Sequence, residues 1–205
     1  DEVEEAAWII AELQNRHQEG TVRWSDVAIF YRANAQSRII EERLANAAIP
    51  YRVVGGTRFY DRREVKDALA YLRAIVNPSD EVSLKRILNV PKRGIGDGSV
   101  TKLDEYAKSN QVSFSEALAS WPETGISGTA KKGLANFSEL LSQLSRRVSD
   151  GPAEVIQIAL ERSGYIDELR DERSIEAEGR LENRAELIGS AEAYETCEEF
   201  LEQVS

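Results

Sequence analysis

The sequence predicts a mainly α protein with a small α/β portion at its start. A strand–helix–strand pattern runs up to Gly56, and only helical periodicity follows it. A glycine-rich hairpin at residues 90–99 then joins two helical segments. A nearly continuous apolar run is the mark of a buried parallel strand, whereas apolar residues three and four apart mark one face of a helix.

Residues 4–18 read as a surface helix with Ala7, Ile10, Ala11 and Trp8 on its buried side, ending at Glu19-Gly20. Residues 26–31 (Asp-Val-Ala-Ile-Phe-Tyr) are the first expected strand. A helix over residues 36–48 turns Ile40, Leu44 and Ala47 inward, and Pro50 stops it. Tyr51-Arg-Val-Val54 is the second expected strand, closing at Gly55-Gly56. Together they make one βαβ unit, so residues 1–56 are expected to form part of a parallel α/β domain. Two strands cannot complete such a sheet, which places its other strands elsewhere in a larger protein.

Residues 57–205 are expected to form an all-helical domain. Residues 62–76 carry Val65, Leu69, Leu72 and Val76 on one stripe, and Asn77-Pro-Ser-Asp80 is a turn with a helix-start signal. After the hairpin pair come a short helix at residues 114–119 and a longer one at 129–148 with Leu134, Phe137, Leu141 and Leu144. Asp150-Gly-Pro152 precedes a helix with Val155, Ile156, Ala159 and Leu160, and Ser163-Gly164 turns the chain again. Residues 174–194 and 197–205 read as acidic amphipathic helices, and the acidic helices of residues 165–205 are taken as solvated faces, with an interaction surface as the alternative.

Composition narrows the function. Of 205 residues, 41% are hydrophobic, enough for a real core. No apolar run approaches the ~18 residues of a membrane span, and no signal peptide is visible. A single cysteine, Cys197, rules out an internal disulfide and a cysteine zinc cage, and fits a reducing cytoplasm. One histidine, His17, leaves no basis for a metal site or a Ser-His-Asp triad. Methionine is absent and the chain opens with Asp1-Glu2, the look of a piece excised from a larger protein. The net charge of −10 is uneven: residues 25–110 carry fifteen Lys/Arg against eleven acids, while residues 111–205 carry nine against nineteen. The basic excess coincides with the hairpin, and screening confines each field to about 8 Å.

Residues 90–99, Val-Pro-Lys-Arg-Gly-Ile-Gly-Asp-Gly-Ser, have the pattern of a helix–hairpin–helix, a motif that holds duplex DNA by its backbone. Gly94 and Gly96 allow a sharp turn and close approach to a ligand. The helix that follows offers unpaired N–H groups and a positive dipole end to an anion. Lys92 and Arg93 attract phosphate whatever the base sequence, and Ile95 can plug the space between the helices. Against this stands an ordinary helix–helix turn with a glycine stop and a proline spacer. Gly125-Ile-Ser-Gly128, followed by Lys131 and Lys132, faintly echoes the hairpin with altered glycine spacing.

Two longer stretches extend the picture. One is Asp26-Val-Ala-Ile-Phe-Tyr-Arg-Ala-Asn-Ala-Gln-Ser-Arg38, running on to Ile49-Pro-Tyr-Arg-Val-Val-Gly-Gly56. The other is Phe59-Tyr-Asp-Arg-Arg-Glu-Val-Lys-Asp-Ala-Leu-Ala-Tyr-Leu-Arg73, leading to Asn89-Val-Pro-Lys-Arg-Gly-Ile-Gly96. Both closely resemble bacterial superfamily 1 DNA helicases of the UvrD/PcrA/Rep group. Arg180-Leu-Glu-Asn183 and Glu199-Phe-Leu-Glu-Gln-Val204 look like later landmarks of the same family.

The resemblance implies that residues 1–56 are the leading part of a RecA-like motor domain, 2A. Residues 57–205 would be most of the helical accessory domain, 2B. It implies single-stranded DNA contacts for Arg32 and Asn34. The bland roles for that pair are a helix cap for Asn34 and an ion pair with a helix carboxylate for Arg32. It implies duplex contacts for Lys92, Arg93, Gly94, Ile95, Gly96, Ser99 and Lys102, with Asp97 turned away from DNA. Gly125-Ile-Ser127 departs from the Gly-x-Gly of many relatives.

The parent would be an ATP-dependent 3′→5′ DNA helicase of repair or replication that uses ATP and Mg²⁺. No Gly-x-x-x-x-Gly-Lys-Ser/Thr occurs here, so this piece alone is expected to lack ATPase activity. A competing possibility is a protein-interaction or autoinhibitory helical module with no duplex contact. The tryptophans (Trp8, Trp24, Trp121) are expected in packing roles, and Glu41-Glu42 on a helix exterior.

Overall fold

The computed structural model describes residues 2–54 and 56–204, which divide between two units, Asp1–Arg62 and Arg63–Ser205. In the first unit, α1 (Glu2–Gln18) packs on α2 (Ser37–Asn46). Glutamates 2, 4 and 5 in the first turn of α1, with Arg16 and His17 in its last, complement the helix dipole. Ile10, Leu44 and Ile49 form a small core, against which Ile9, Leu13, Trp24, Ile40, Ala47 and Tyr51 pack. His17 stacks on Trp24 with ring centroids 3.8 Å apart. Trp8 departs from its expected packing role, because Ala6 and Ile10 define the buried stripe and Trp8 is left 68% exposed.

The two expected strands do not form a ladder, and the described residues contain no β-strand. Val27 keeps extended backbone (φ −106°, ψ 137°), but Phe30 and Val54 are 93% and 78% exposed. A parallel strand is stable only with neighbours to accept its hydrogen bonds and helices to cover its faces. These two segments pair neither with each other nor with a third.

Glu41 is corrected from helix exterior to interior. It is 8% exposed and accepts from Ser37 Oγ at 2.7 Å and from the Phe59 N–H at 3.3 Å. Glu42 accepts from Tyr60 Oη at 2.7 Å. The adjacent carboxylates thus hold residues 59–60 against α2. A buried carboxylate of this kind is tolerated because donors replace its water.

In the second unit the helices are α3 (Arg63–Val76), α4 (Glu81–Ile87), α5 (Asp97–Asn110), α6 (Phe114–Ala119), α7 (Thr129–Ser145), α8 (Pro152–Arg162), α9 (Tyr165–Glu172), α10 (Ile175–Ala191) and α11 (Cys197–Gln203). Local signals start several of them. Asp80 caps α4 through the Ser83 N–H at 3.0 Å, and capping boxes open α6 (Ser113, Glu116) and α11 (Thr196, Glu199). Residues 165–172 fall in the stretch expected as solvated acidic helices. They form α9 because Tyr165, Ile166 and Leu169 are buried, while its other side is charged.

The core is organised around α3, which touches α4, α7, α8, α10 and α11. Its periodicity suggested a single buried stripe, yet Val65, Ala68, Tyr71, Leu72 and Ile75 bury several sides at once. Two acids are carried inside with it. Asp67, 2% exposed, accepts from Arg86 Nε at 2.8 Å and Tyr165 Oη at 3.0 Å. Glu64 accepts from Asn183 Nδ2 at 2.6 Å, so the Arg-Leu-Glu-Asn landmark ties α10 to α3.

Candidate nucleic-acid interface

The hairpin between α4 and α5 is built on Asn89. Its Oδ1 accepts from the N–H of Arg93 at 2.7 Å and of Ile95 at 3.2 Å, which curls residues 89–95 into a closed turn. Tyr71 Oη, from the core helix α3, donates to the Val90 carbonyl at 2.6 Å. Burial raises the Tyr71 phenol above its ordinary range, against the pull of the Arg93 guanidinium, so it keeps the proton it donates. Ile95 is 2% exposed and fills the space between the helices, as expected.

Arg93 is placed differently from the other cations. Its Nη1 donates to the carbonyls of Ile87 (2.9 Å), Leu88 (3.3 Å) and Pro91 (3.1 Å), and its Nη2 to Tyr71 Oη. Its guanidinium carbon lies 5.2 Å from the centroid of the Phe137 ring. The side chain therefore caps the end of α4 from within and braces the turn. Helix ends leave carbonyls unsatisfied, and a planar guanidinium can serve several of them at once.

The glycines divide by function. Gly94 has φ +73°, and a Cβ there would sit 3.3 Å from the Thr129 side chain. Gly96 caps α5 with ordinary dihedrals (φ −91°), and a Cβ there would meet nothing within 4 Å. The start of α5 is open. The Ser99 N–H is taken by the Gly96 carbonyl at 2.9 Å, but the N–H groups of Gly96, Asp97 and Gly98 have no acceptor among the described residues.

A second glycine turn lies beside the first. Gly125 (φ +67°), the buried Ile126 and Gly128 (φ +69°) lead into α7, whose Thr129, Ala130 and Lys131 N–H groups are likewise without acceptors among the described residues. Lys102 Nζ donates to the Gly125 carbonyl at 3.0 Å, joining α5 to this turn. Gly133 brings α7 up to the hairpin: a Cβ on it would fall 2.3 Å from the Arg93 carbonyl oxygen. An isolated glycine inside a helical pattern was the available signal for this contact. The two helix starts thus adjoin, with Thr129 against Gly94 and Lys102 on the Gly125 carbonyl, and Lys92, Lys131 and Lys132 in these same segments are exposed.

Arg32 and Asn34 belong to the first unit. Both are exposed, just before and within a 3-10 turn, Asn34–Gln36. Neither bland role is realised. The turn is capped by Gln36, whose Oε1 accepts from the N–H groups of Arg32 (3.1 Å) and Ala33 (3.0 Å). The Arg32 guanidinium makes no ion pair among the described residues. An exposed Arg on a loop so fixed is suited to an anionic ligand.

No group of three His, Cys, Asp or Glu is placed to hold a metal among the described residues, and no helix there is long and apolar enough to cross a membrane. Comparison with known proteins gives the context of the site. The chain is 43% identical over 195 residues to the ATP-dependent DNA helicase PcrA of Staphylococcus epidermidis, 41% over 195 to that of Staphylococcus aureus, and 40% over 196 to that of Bacillus subtilis. Each match covers 95% of this chain but only 26–27% of the relative, so the chain spans about a quarter of their length. Residues 1–200 match the family described as the UvrD-like helicase C-terminal domain, and the chain belongs to that family.

Proposed function

We propose that this chain is the DNA-binding and regulatory portion of an ATP-dependent 3′→5′ DNA helicase of repair or replication, working in the cytoplasm, and that it holds duplex DNA by the backbone. The observation that carries the reading is the pair of adjoining helix starts with open N–H groups, in segments that also carry exposed lysines. Phosphates would be met by the N–H groups of Gly96, Asp97 and Gly98 at α5 and of Thr129, Ala130 and Lys131 at α7. Gly94, Ile95 and Gly96 shape the turn, Ser99 and Lys92 supply side-chain donors, and Lys102 adds charge while supporting the second turn. The α5 and α7 dipoles favour the same anion. Contacts of this type ignore base identity.

Residues 1–56 we read as the leading part of a RecA-like motor domain and residues 57–205 as the accessory domain. The unpaired extended segments and the exposed Phe30 and Val54 support this, because they are what remains when a sheet's other strands lie elsewhere. In the first unit, Arg32 and Asn34 face a single-strand phosphate backbone. ATP and Mg²⁺ belong to the parent protein, whose phosphate cradle is not in this sequence.

The test is binding to a duplex–single-strand junction between about 50 and 200 mM salt, a range over which several phosphate contacts cost orders of magnitude in affinity. The expected result is weak binding, equal for unrelated sequences and steeply reduced by salt. A nucleotide triphosphate competitor identifies whether Arg32 faces a strand or a nucleotide. Salt-independent binding, or none, moves the protein-interaction reading ahead.

A further inference from the structure

We infer, on the reading of the hairpin as a holder of duplex backbone, that Tyr71 is a positioning residue for that binding: its hydroxyl seats the hairpin on α3 and so fixes where the open start of α5 stands. Tyr71 is wholly buried in the core of the second unit. A phenol placed there needs hydrogen-bond partners, because a buried polar group left without them costs free energy. The hairpin supplies them. Tyr71 Oη donates to the Val90 carbonyl at 2.6 Å and accepts from Arg93 Nη2. One side chain of α3 thus holds the residues on both sides of Pro91-Lys92.

The shape of the turn and its seat have different causes. Asn89 closes the turn from within, through the N–H groups of Arg93 and Ile95. Gly96, the cap of α5, is the next residue, so the start of α5 follows wherever this closed turn sits. Asn89 belongs to the turn and cannot say where it docks. Tyr71 belongs to the core and can. Asp67, four residues earlier on the same face of α3, fastens the neighbouring elements instead. It accepts from Arg86 Nε in α4 at 2.8 Å and from Tyr165 Oη in α9 at 3.0 Å. The turn before α9 also abuts the hairpin, since a Cβ on Gly164 would lie 4.0 Å from Pro91 Cγ. Without its hydroxyl, residue 71 would release Val90, while Arg93 would keep its three carbonyl acceptors and Asn89 its two donors. The hairpin would stay closed but shift on its bed. Holding phosphate at α5 and α7 together requires the two starts at a fixed separation, so a loose seat lowers affinity without removing any contact group.

The experiment compares the wild-type chain with Tyr71→Phe, Tyr165→Phe and Lys92→Ala, using a blunt mixed-sequence duplex and amide NMR spectra. Tyr71→Phe is expected to weaken duplex binding about tenfold, the worth of roughly one hydrogen bond. Its log–log salt slope should be unchanged, because no phosphate contact is lost, whereas Lys92→Ala flattens the slope by about 0.9. Tyr165→Phe removes the same group from the same core at Asp67, and should lower stability while leaving duplex affinity unchanged. The amide signals of residues 94–98 should move in Tyr71→Phe and stay in place in Tyr165→Phe. Unchanged affinity in a folded Tyr71→Phe, a flattened slope there, or an equal loss in Tyr165→Phe overturns the inference. If Tyr71→Phe does not fold, the wild-type hydroxyl proton decides: a slowly exchanging signal that shifts as duplex is added supports the seat, and rapid exchange or no shift at saturation overturns it. If the wild type binds no duplex, or Lys92→Ala leaves the slope unchanged, the duplex-holding reading fails. The amide signals of residues 94–98 then still decide whether Tyr71 seats the hairpin.

Discussion

The Arg93 carbonyl oxygen occupies the place where a side chain on Gly133 would begin, 2.3 Å from a Cβ built there. Two backbones, one from the hairpin and one from α7, are in contact only because residue 133 has no side chain. Alanine would favour the helix by about 1 kcal/mol relative to glycine. The clash is with a main-chain oxygen that the hairpin holds in place, and overpacking of this kind costs roughly 1–3 kcal/mol. Gly133→Ala is therefore expected to lower stability in urea denaturation and to weaken duplex binding by displacing the turn. A variant as stable as the parent, with unchanged affinity, would show that the hairpin yields freely.

Lys92 and Arg93, adjacent in sequence, are expected to behave oppositely. Lys92 is exposed, so Lys92→Ala should leave stability within about 0.5 kcal/mol and flatten the duplex salt slope by about 0.9. Arg93→Ala removes a donor from the carbonyls of Ile87, Leu88 and Pro91 and from the Tyr71 hydroxyl, with Ile87 keeping the Val90 N–H. It should cost roughly 1–3 kcal/mol of stability. At conditions where both variants remain folded, a larger slope change for Arg93 than for Lys92 would restore Arg93 as a phosphate contact.

That contrast marks where sequence stops being informative here. Apolar spacing revealed most helices, because a buried helical face leaves a periodic trace. The hairpin was visible through its glycines and proline. Spacing could not show the direction of a long side chain, and Arg93 turned inward because α4 ends beside it with open carbonyls. Nor could it show that Glu41, Glu64 and Asp67 are interior, since their donors come from residues as remote in sequence as Phe59, Asn183 and Tyr165. The apolar runs at residues 26–31 and 51–54 encode a preference for extended backbone, but strand pairing requires a neighbour that these residues do not supply to one another.

Asp80 gives a prediction in pH. Partial burial pushes its carboxyl up, and the Ser83 hydroxyl and N–H outweigh that, leaving it below its ordinary value. A carboxyl depressed on folding contributes stability that is present above its unfolded pKa, near 4, and lost as pH falls through the folded value. Asp80→Asn keeps a cap but removes the titration. Acid unfolding profiles of the two proteins should converge below about pH 3 and separate above about pH 4. Parallel profiles across that range would count against the cap carrying the pH dependence.

Cys197 offers a native-state reporter. It is 1% exposed, and burial, with Glu198 nearby, pushes its thiol up to about 11. The thiolate is the reactive form, so alkylation at pH 8 should be slow in the folded chain and rapid in denaturant. Its rate should instead follow the opening of α11. Labelling as fast in the native protein as in urea would mean that this helix is not docked.

The two hairpin glycines separate a folding role from a binding role. Gly94 needs its positive φ and sits 3.3 Å from the Thr129 side chain, so Gly94→Ala should be destabilising whatever the function. Gly96 has dihedrals open to any residue and empty space where a Cβ would go. Gly96→Val should therefore cost no more than about 1 kcal/mol, the difference between a glycine and an apolar residue at a helix cap. If phosphate approaches the N–H groups of Gly96–Gly98, the same valine crowds the ligand rather than the protein. Duplex affinity should fall at least about tenfold, equally for unrelated sequences and with charge unchanged. A folded Gly96→Val that binds duplex as well as the parent would leave this hairpin as a turn alone.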